Sequence, residues 1–468
     1  MNKRFSSLII VAVFVFLFSA MANAETFTAY LEGRQEVPPT GSTATGYARV
    51  FVNESTMQIT YRVVFNNLSS AQNASHIHAP AAIGATAAVA INFGTVGGTS
   101  GVITGTASIT ATQLAQLRAH QGYVNVHSVN FPNGEIRGQL GPRRPVDFDG
   151  DGKTDFSILK FPSVAPPGVA QINFWNKNST SGTVISPQWG DANRDFPCPG
   201  DYDGDGQDDY ALYRDGATQG AQSEFWVLTS SDSTVLYYAW GLGGSTTGAN
   251  PSDTPLCRDY DGDGKTDVAV ARRGSTTGDP LTWYIRQSSN NTARVVNWGV
   301  TGADANSFYD APIPGDYDGD GKFDLAVFRF GTPPDNNFIV LKSSDGGSIY
   351  QLWGNFTTDY ILPGDYDGDG KWDFAVARTG AAATSPMVWY VLYATGAQRP
   401  QQTFGISSDL PTQADYDGDG RTDLSVYRQG ATTGAASNFW VYNSFDNTSQ
   451  VTQWGVRPDF PVATFDAR

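Results

Sequence analysis

Nearly the same nine residues, Asp-x-Asp-Gly-Asp-Gly-x-x-Asp, occur six times in this chain of 468 residues. In a loop of this kind the carboxylates at positions 1, 3 and 5 point at one centre, glycine at position 6 permits the sharp turn, and position 7 offers its backbone carbonyl. Several oxygen ligands at flexible distances favour calcium over magnesium, which requires near-octahedral geometry. Polar turns also contain Asp-Gly pairs, but six copies at matched offsets indicate metal-binding loops. We number these Asp loops 1 to 6 in chain order.

All four aspartates are kept in every Asp loop, and we predict that each loop binds one calcium ion. The predicted ligands are Asp147, Asp149, Asp151 and Asp155; Asp201, Asp203, Asp205 and Asp209; Asp259, Asp261, Asp263 and Asp267; Asp316, Asp318, Asp320 and Asp324; Asp365, Asp367, Asp369 and Asp373; and Asp415, Asp417, Asp419 and Asp423. An EF-hand differs, because its loop has twelve positions, ends in a bidentate Glu and lies between helices. Here position 9 is Asp, and short apolar or alternating segments follow, which predict strands.

The repeat extends beyond the Asp loops, whose first residues are 49 to 58 residues apart. After each loop strand come a second, aromatic strand and a third that ends in Trp-Gly, with Phe404-Gly405 as the variant. An Asp and a Pro then lead into the next loop. Four strands per repeat, turn-rich joins and no helical periodicity predict a β-propeller. The segment 461–466 repeats the lead-in without a seventh loop, so we expect it to give an inner strand to the first blade. Six blades are favoured, and seven are the second choice.

The Asp loops with their flanking strands resemble the FG-GAP or VCBS repeat family, the β-propeller class to which the heads of integrin α-subunits belong. This resemblance covers residues 142–468 and is most specific in the loops. It implies a propeller that displays loops for interaction or adhesion.

The region before the repeats is expected to contain a signal peptide and a separate domain. Residues 1–24 combine Lys3 and Arg4, an apolar run and a small-residue cleavage site, so the mature chain is expected to begin at Glu25 and to be secreted, periplasmic or on the cell surface. Residues 25–140 contain alternating strands and one short helix over 112–120, which predicts an Ig-like antiparallel β-sandwich. A linker at 141–145 leads to the propeller at 146–468.

The predicted sandwich resembles the chordin-type CHRD domain. The segments that carry the resemblance are EVPP at 36–39, HIHAP at 76–80, YVNVHS at 123–128 and NGEIRGQL at 133–140. Where the family has a Gly-rich stretch after the histidines, this chain has Ala-Pro-Ala-Ala-Ile-Gly at 79–84.

Three of the four histidines lie in these segments. His76 and His78 alternate onto one face of a strand, and His127 ends another, so the three could bind zinc or copper and leave one coordination position open. The alternative, which we favour, is that they are hydrogen-bonding histidines at a sandwich edge, because Glu135 is the one evident outer partner for a ligand imidazole.

The two cysteines, Cys198 and Cys257, occupy nearly equivalent places in adjacent repeats. Cys198 lies three residues before Asp loop 2, whereas Cys257 lies two residues before Asp loop 3. A disulfide between neighbouring repeats is one possibility. The one-residue offset favours opposite faces of the strands, so we expect two buried free thiols.

The charge excludes some partners. The net charge is −16, and −18 without Lys3 and Arg4, which argues against binding to nucleic acid or to an anionic membrane. The predicted ligands are 24 of the 46 acidic residues, so much of the acidity is assigned to metal ligands. A nucleophile elbow, an HExxH motif and a Gly-rich phosphate loop are not found in the sequence.

We predict an exported, calcium-binding, non-catalytic interaction or adhesion protein. The alternatives are a polysaccharide lyase or hydrolase and a carbohydrate-binding lectin.

Overall fold

The computed structural model describes residues 24–142, 145–160, 171–192, 194–244, 253–302, 309–330, 337–355 and 358–463. These residues form an N-terminal β-sheet domain and six further sheets arranged as the blades of a propeller, which confirms the predicted all-β class. The predicted signal peptide lies outside the described residues except for Ala24, which opens the first strand. Within the described ranges no helix is long and apolar enough to cross a membrane.

Nine strands and one helix make up the N-terminal domain. They are β1 Ala24–Glu32, β2 Thr45–Asn53, β3 Gln58–Asn66, β4 Gln72–His78, β5 Val89–Asn92, β6 Gly101–Ser108, α1 Ala111–Arg118, β7 Tyr123–Ser128, β8 Ile136–Gln139 and β9 Gly141–Pro142, with a 3-10 turn at Gly33–Gln35. The strand order is β5-β4-β7-β8-β1-β2-β3-β6, and β9 pairs with β1. Two residues of the predicted linker, Gly141 and Pro142, therefore belong to this sheet.

The two halves of this sheet face a single hydrophobic core. The halves are joined where β1 meets β8 at the pair Glu32 and Arg137. Ile77 and Val126 from one half and Val50 and Phe65 from the other are at most 1% exposed and belong to the same apolar cluster. The sandwich layers predicted from the alternating pattern are thus parts of one continuous sheet that folds over its own core.

Helix α1 confirms the short helix expected over 112–120. It begins at Ala111 because Thr110 forms a capping box, in which the Thr110 side chain accepts from the Gln113 backbone and the Gln113 side chain accepts from Thr110. Leu114 and Leu117, at the spacing of one helical turn, are buried in the domain core.

Each blade is an antiparallel sheet. The strands are, blade by blade, β10 Phe156–Lys160, β11 Gln171–Lys177, β12 Val184–Ile185 and β13 Gln188–Asp191; β14 Asp195–Pro197, β15 Tyr210–Arg214, β16 Gln222–Leu228 and β17 Val235–Leu242; β18 Thr254–Pro255, β19 Val268–Arg272, β20 Pro280–Arg286 and β21 Ala293–Val300; β22 Tyr309–Pro312, β23 Leu325–Phe330, β24 Asn337–Leu341 and β25 Ser348–Leu352; β26 Asp359–Ile361, β27 Phe374–Arg378, β28 Pro386–Leu392 and β29 Gln402–Ile406; and β30 Leu410–Pro411, β31 Leu424–Arg428, β32 Ala436–Tyr442 and β33 Ser449–Val456.

The end of the repeat region closes the ring, as its sequence predicts. Strand β34, Phe460–Pro461, pairs antiparallel with β10 of the first blade, with Ile158 opposite Pro461 and Leu159 opposite Phe460. The first blade is therefore built from both ends of the repeat region. Six blades, rather than the second-choice seven, account for all the described repeats.

The repeated residues outside the Asp loops hold the blades together. In five of the six lead-ins the Asp accepts two hydrogen bonds from the Arg that ends the loop strand, as in Asp310 with Arg329, at 2.8 Å each. The tryptophan of the Trp-Gly pair reaches the next blade, and Trp298 donates its ring N–H to the Ile339 carbonyl at 3.2 Å. Across the ring closure, Trp454 donates to Trp175 at 3.0 Å. The aromatic strands supply blade cores, since Trp283 and Trp389 are at most 1% exposed.

Candidate metal centres

Each Asp loop folds around the carboxylate of its first residue. In Asp loop 2, Asp201 Oδ1 accepts from the Gly204 amide at 2.6 Å and Oδ2 accepts from the Gly206 amide at 2.8 Å. The same pair of bonds recurs in Asp loops 3 to 6. Both glycines lie in the left-handed region, with φ of 83° and 85° in Asp loop 2. The turn therefore requires glycine at position 4 as well as at position 6.

The aspartate at position 9 fastens the loop to its blade. Asp209 Oδ2 accepts from the Tyr202 amide inside the loop, and Asp209 Oδ1 accepts from the Ser230 amide in the next hairpin, both at 2.8 Å. Equivalent bonds are made by Asp155, Asp267, Asp324, Asp373 and Asp423. Hydrogen bonds from backbone amides thus hold the carboxylates at positions 1 and 9 in place.

The predicted carboxylates converge. In each of four groups the potential ligand oxygens lie within 4.8 Å of one another, and the groups are Asp147, Asp149 and Asp155; Asp201, Asp203 and Asp209; Asp259, Asp261 and Asp263; and Asp316, Asp318 and Asp320. Hard oxygen donors at this spacing suit a calcium ion.

Burial makes the charge of these carboxylates costly. It raises the pKa of Asp373 to about 8 and the pKa of Asp209, Asp267 and Asp324 to about 7, and neighbouring loop carboxylates raise these values further. Several oxygens also lack a compensating donor: Asp149 Oδ1, Asp318 Oδ1 and Asp419 Oδ2 are buried and accept no hydrogen bond within the described part of the chain. Unpaired buried oxygens in an anionic cluster fit a bound cation.

The six Asp loops form a closed ring of backbone hydrogen bonds. In every case the amide at position 8 of one loop donates to the carbonyl at position 1 of the loop before it. The pairs are Asp208 to Asp147 at 2.9 Å, Thr266 to Asp201 at 2.6 Å, Phe323 to Asp259 at 2.9 Å, Trp372 to Asp316 at 2.7 Å, Thr422 to Asp365 at 2.6 Å and Thr154 to Asp415 at 2.8 Å. Each loop is therefore hydrogen-bonded directly to both of its neighbours.

The N-terminal domain rests on this ring through Arg49 of β2. Its guanidinium donates to three carbonyls: Gly150 at 2.9 Å and Asp149 at 2.7 Å in Asp loop 1, and Asp205 at 2.9 Å in Asp loop 2. Arg49 is 8% exposed, so these are buried, charge-assisted contacts.

Further contacts connect the N-terminal domain to Asp loops 5, 6 and 1. Arg34 and Gln35 donate to the carbonyls of Asp417 and Gly418 at 3.0 and 3.2 Å. His120 Nδ1 lies 3.1 Å from Asp365 Oδ2, and the Lys153 ammonium lies 3.7 Å above the ring of Tyr30. The domain therefore contacts four consecutive loops of the closed ring: 5, 6, 1 and 2.

A cavity of about 430 Å³ lies on the propeller axis, because lead-in residues of all six blades line it. Thr26 and His120 of the N-terminal domain also line this cavity, and so do Cys198 and Cys257.

The two cysteines form a disulfide with a Cα–Cα distance of 5.9 Å. The expectation of two free thiols is therefore wrong. Cys198 and Cys257 come after the ends of the short inner strands β14 and β18. Side chains alternate between two faces only within a strand, so the one-residue offset does not place these cysteines on opposite faces.

The three histidines of the N-terminal domain come together on adjacent strands. His76 and His78 lie on β4 and His127 lies on β7, which pairs with β4. Their side chains are on the face opposite the core, since the intervening Ile77 is 1% exposed within the core cluster. Potential ligand nitrogens of the three rings lie within 4.8 Å of one another. Burial lowers the pKa of all three imidazoles, and that of His76 to about 4 with the other two rings adding to the effect.

Glu135 has a different position from the one expected. It is fully buried and accepts from Ser42 Oγ at 2.7 Å, from the Ser69 amide at 2.7 Å and from Ser128 Oγ. These donors lower the pKa of Glu135 despite its burial. The carboxylate organises loops around β8 and is not the outer partner of the histidines.

The sequence reasoning missed two sets of residues. Arg49, Arg34 and Gln35 were not identified as contacts of the Asp loops, because nothing near them in sequence indicates a partner more than 100 residues away. The position-8 amides were missed because a backbone donor has no sequence signature. The glycine at position 4 was detectable, since all six copies contain it.

The fold and the loops define a class of protein: a six-bladed propeller with an acidic loop in each blade, preceded by a β-sheet domain. Residues 27–140 match the family model of the CHRD domain, and residues 259–327 and 365–426 match that of the FG-GAP-like repeat. The chain thus carries a CHRD domain followed by FG-GAP-like repeats. No curated protein matches the chain significantly.

Three solved structures are similar in fold at 12 to 13% sequence identity. A triple arginine-to-alanine mutant of AofleA from Arthrobotrys oligospora has a TM-score of 0.41 at 12% identity, with 62% of this chain and 82% of that chain covered. A proposed 6-phosphogluconolactonase from Bacteroides fragilis has a TM-score of 0.37 at 12% identity, with 66% and 96% covered. Another from Bacteroides uniformis has a TM-score of 0.34 at 13% identity, with 65% and 84% covered. Likeness at this level supports no transfer of function.

Proposed function

We propose that this is an exported, calcium-stabilised interaction protein, in which the propeller is a non-catalytic scaffold and the ring of Asp loops is its calcium-dependent base. The observation that carries the proposal is the convergence of carboxylate oxygens within 4.8 Å in successive Asp loops that are hydrogen-bonded into one ring. Calcium would supply the positive charge that these buried oxygens lack. The disulfide between Cys198 and Cys257 supports export, because such bonds persist in oxidising compartments.

Calcium and interaction are connected through the docked N-terminal domain. Four of the six loops touch that domain through main-chain carbonyls or loop carboxylates. Four carboxylates within nine residues repel one another without a cation, so an empty loop would be looser than a filled one. Loosening these loops displaces the carbonyls that Arg49 and Arg34 bind. Calcium would therefore fix the orientation of the domain relative to the disc and so the surface presented to a partner.

The scaffold is proposed to be non-catalytic because the paired carboxylates that a glycosidase would need are engaged in the Asp loops. Positions 1 and 9 accept backbone donors in each loop and hold the turn together. Groups bound in this way are poorly placed to transfer protons to a substrate.

The test is calcium-dependent binding to an identified partner. The full chain, carrying a C-terminal tag, is used to capture proteins and glycans from native extract in about 2 mM calcium, above the dissociation constants of about 0.1 to 1 mM typical of extracellular modules, or in EDTA. Each captured species is then purified and rebound. We expect at least one partner to lose affinity about tenfold or more in EDTA, and to lose it equally in the Asp365→Asn, Asp415→Asn double variant. Partners that bind equally with and without calcium would contradict the proposal.

A second candidate function, carbohydrate binding, is favoured by one specific observation. Phe196, Tyr360 and Phe460 occupy the same position of the inner strand in three blades and are 51%, 37% and 41% exposed. Exposed aromatic rings at repeated positions are suited to stacking on sugar rings. A glycan array probed in calcium tests this function. Hits that disappear in a Phe196→Ala, Tyr360→Ala, Phe460→Ala variant would support it, and an array without hits would exclude it.

A further inference from the structure

The three histidines of the N-terminal domain form a cluster of nitrogen donors, chemically different from the carboxylate clusters of the Asp loops. Their positions follow from strand pairing. On β4, His76 is opposite Asn125 of β7 and Ala74 is opposite His127, so His127 is the diagonal neighbour of His76 on the same face. His78 lies two residues further along β4, again on that face. The sheet itself therefore fixes the backbone positions of all three rings.

The outer nitrogens of two rings are held by backbone carbonyls. His78 Nδ1 lies 2.9 Å from the carbonyl oxygen of Ala87, and His127 Nδ1 lies 2.9 Å from that of Pro132. A carbonyl only accepts, so each Nδ1 carries the proton and donates it. The Nε2 atom of each ring is then left with a free lone pair. An imidazole whose far N–H is fixed by a carbonyl is the usual arrangement of a metal-ligating histidine.

The inner nitrogens converge with too few donors to satisfy them. His78 Nε2 is buried and has no hydrogen-bond partner among the described residues. His127 Nε2 lies 3.2 Å from His76 Nδ1, which can donate one proton to it. That single proton satisfies His127 and leaves His78 unsatisfied. A cation accepts the lone pairs of all three nitrogens, whereas a purely hydrogen-bonding role leaves a buried acceptor empty.

We propose that His76 Nδ1, His78 Nε2 and His127 Nε2 bind one copper(II) or zinc ion, with one coordination position open to water or an added ligand. Three imidazole nitrogens and no carboxylate within the cluster suit these metals and not calcium or magnesium. Copper is expected to bind more tightly than zinc, since affinity at a nitrogen site rises along the series to copper.

The surrounding side chains keep the site closed on one side. The ring of His78 stacks on Tyr123 at 4.8 Å between centroids, nearly parallel to it. The guanidinium of Arg137 lies 3.6 Å from the centroid of the same Tyr123 ring. His127 is 8% exposed, while His76 and His78 are half-buried, so an ion would enter from the side of His76 and His78. The positive charge of the nearby Arg137 guanidinium disfavours a second metal ion. It favours an anionic or neutral fourth ligand on the bound ion.

The experiment is a titration of the full chain, kept in excess calcium, with zinc chloride or copper sulfate. We expect one equivalent to bind, and expect His78→Gln and His127→Gln each to weaken binding at least tenfold. His120→Gln, which removes the one histidine outside the cluster, should bind like the unaltered chain. Thermal melts of each variant in calcium show whether it remains folded.

A spectroscopic readout on the unaltered chain keeps the test decisive if a variant fails to fold. Electron paramagnetic resonance of the stoichiometric copper complex should show coupling to three imidazole nitrogens, and to two in His76→Gln. Absence of stoichiometric binding to the unaltered chain, or a copper signal without imidazole coupling, would overturn the proposal. Because the titration is made in calcium and reads nitrogen ligation, its failure would leave the proposed calcium function untouched.

Discussion

The backbone amide of Thr154 donates a hydrogen bond of 2.8 Å to the carbonyl oxygen of Asp415, and so joins the first Asp loop to the last. Strand β34 closes the first blade at the same seam, through the pairing of Pro461 with Ile158. The ring is thus closed twice, once by strand exchange within a blade and once between loops. Each Asp loop is therefore hydrogen-bonded to the loops of the two blades on either side.

Removing calcium should lower stability strongly. If each loop binds calcium with a dissociation constant of about 0.1 mM, 1 mM calcium adds about 1.4 kcal/mol per site by mass action, or about 8 kcal/mol over six sites. That is comparable with the whole stability of an ordinary domain. Thermal unfolding of the full chain in calcium and in EDTA measures the difference. A magnesium control at equal ionic strength should behave like EDTA, and equal melting temperatures in calcium and EDTA would contradict this prediction.

Replacing Arg49 should release the N-terminal domain from the ring. Arg49→Met keeps the length of the side chain but removes its donors to Gly150, Asp149 and Asp205, leaving three carbonyls in a buried interface without that partner. We expect the free energy of unfolding to fall by about 2 to 3 kcal/mol. We also expect faster proteolysis between the two domains. Arg62→Met is the matched control, because Arg62 pairs across the strands with Arg49 but reaches Tyr47 of its own domain. Equal proteolysis of the two variants would show that Arg49 does not hold the domain.

Breaking a lead-in ion pair should destabilise its blade. Asp310 is 1% exposed and receives both hydrogen bonds from Arg329. Asp310→Asn removes the buried charge of a pair whose Arg329 side chain is 32% exposed, and should lower the free energy of unfolding by urea by about 2 kcal/mol. Asp345→Asn breaks an exposed pair with Lys342 and should leave that free energy unchanged within error. Similar losses in the two variants would be inconsistent with a structural role for the repeated Asp.

The calcium-free protein should lose stability as the pH rises from 6.5 to 8.5. Asp209, Asp267, Asp324 and Asp373 have folded pKa values of about 7 to 8, far above the ordinary value of 3.8, so the folded state holds protons that the unfolded state has released. Stability therefore falls with pH until these groups are ionised. The three histidines have lowered pKa values in the folded state, so below pH about 6.5 the unfolded state binds more protons and their effect is that stability rises with pH. Above that pH they have little effect on stability.

The measurement is the melting temperature of metal-stripped protein across this pH range, repeated with saturating calcium. Calcium should flatten or reverse the slope, because its ligands must be deprotonated to bind it. A metal-stripped protein that becomes more stable towards pH 8.5 would show that these carboxylates are not protonated in the folded state.

The sequence predicts the repeated parts of this molecule well, and the parts that depend on a single long-range contact poorly. The Asp loops, the blade strands and the closing segment recur, so each copy supports the interpretation of the others. The disulfide is not predicted from the sequence, because spacing alone does not show that the inner strands end at Pro197 and Pro255, before both cysteines. Arg49 shows the same limit, since three carbonyls in two different loops leave no trace in the residues around position 49. The histidines were grouped correctly as a candidate cluster, but their carbonyl partners at Ala87 and Pro132 required the folded loops.

The most direct test of the central claim is the number of calcium ions that the metal-stripped full chain binds, measured by calorimetric titration. The six Asp loops predict about six ions per chain, and Asp203→Asn with Asp205→Asn, which spares the loop-holding Asp201 and Asp209, should reduce that number by one while the blades remain folded. Binding of less than one ion per chain, or an unchanged number in that double variant, would contradict the assignment of the loops as calcium sites.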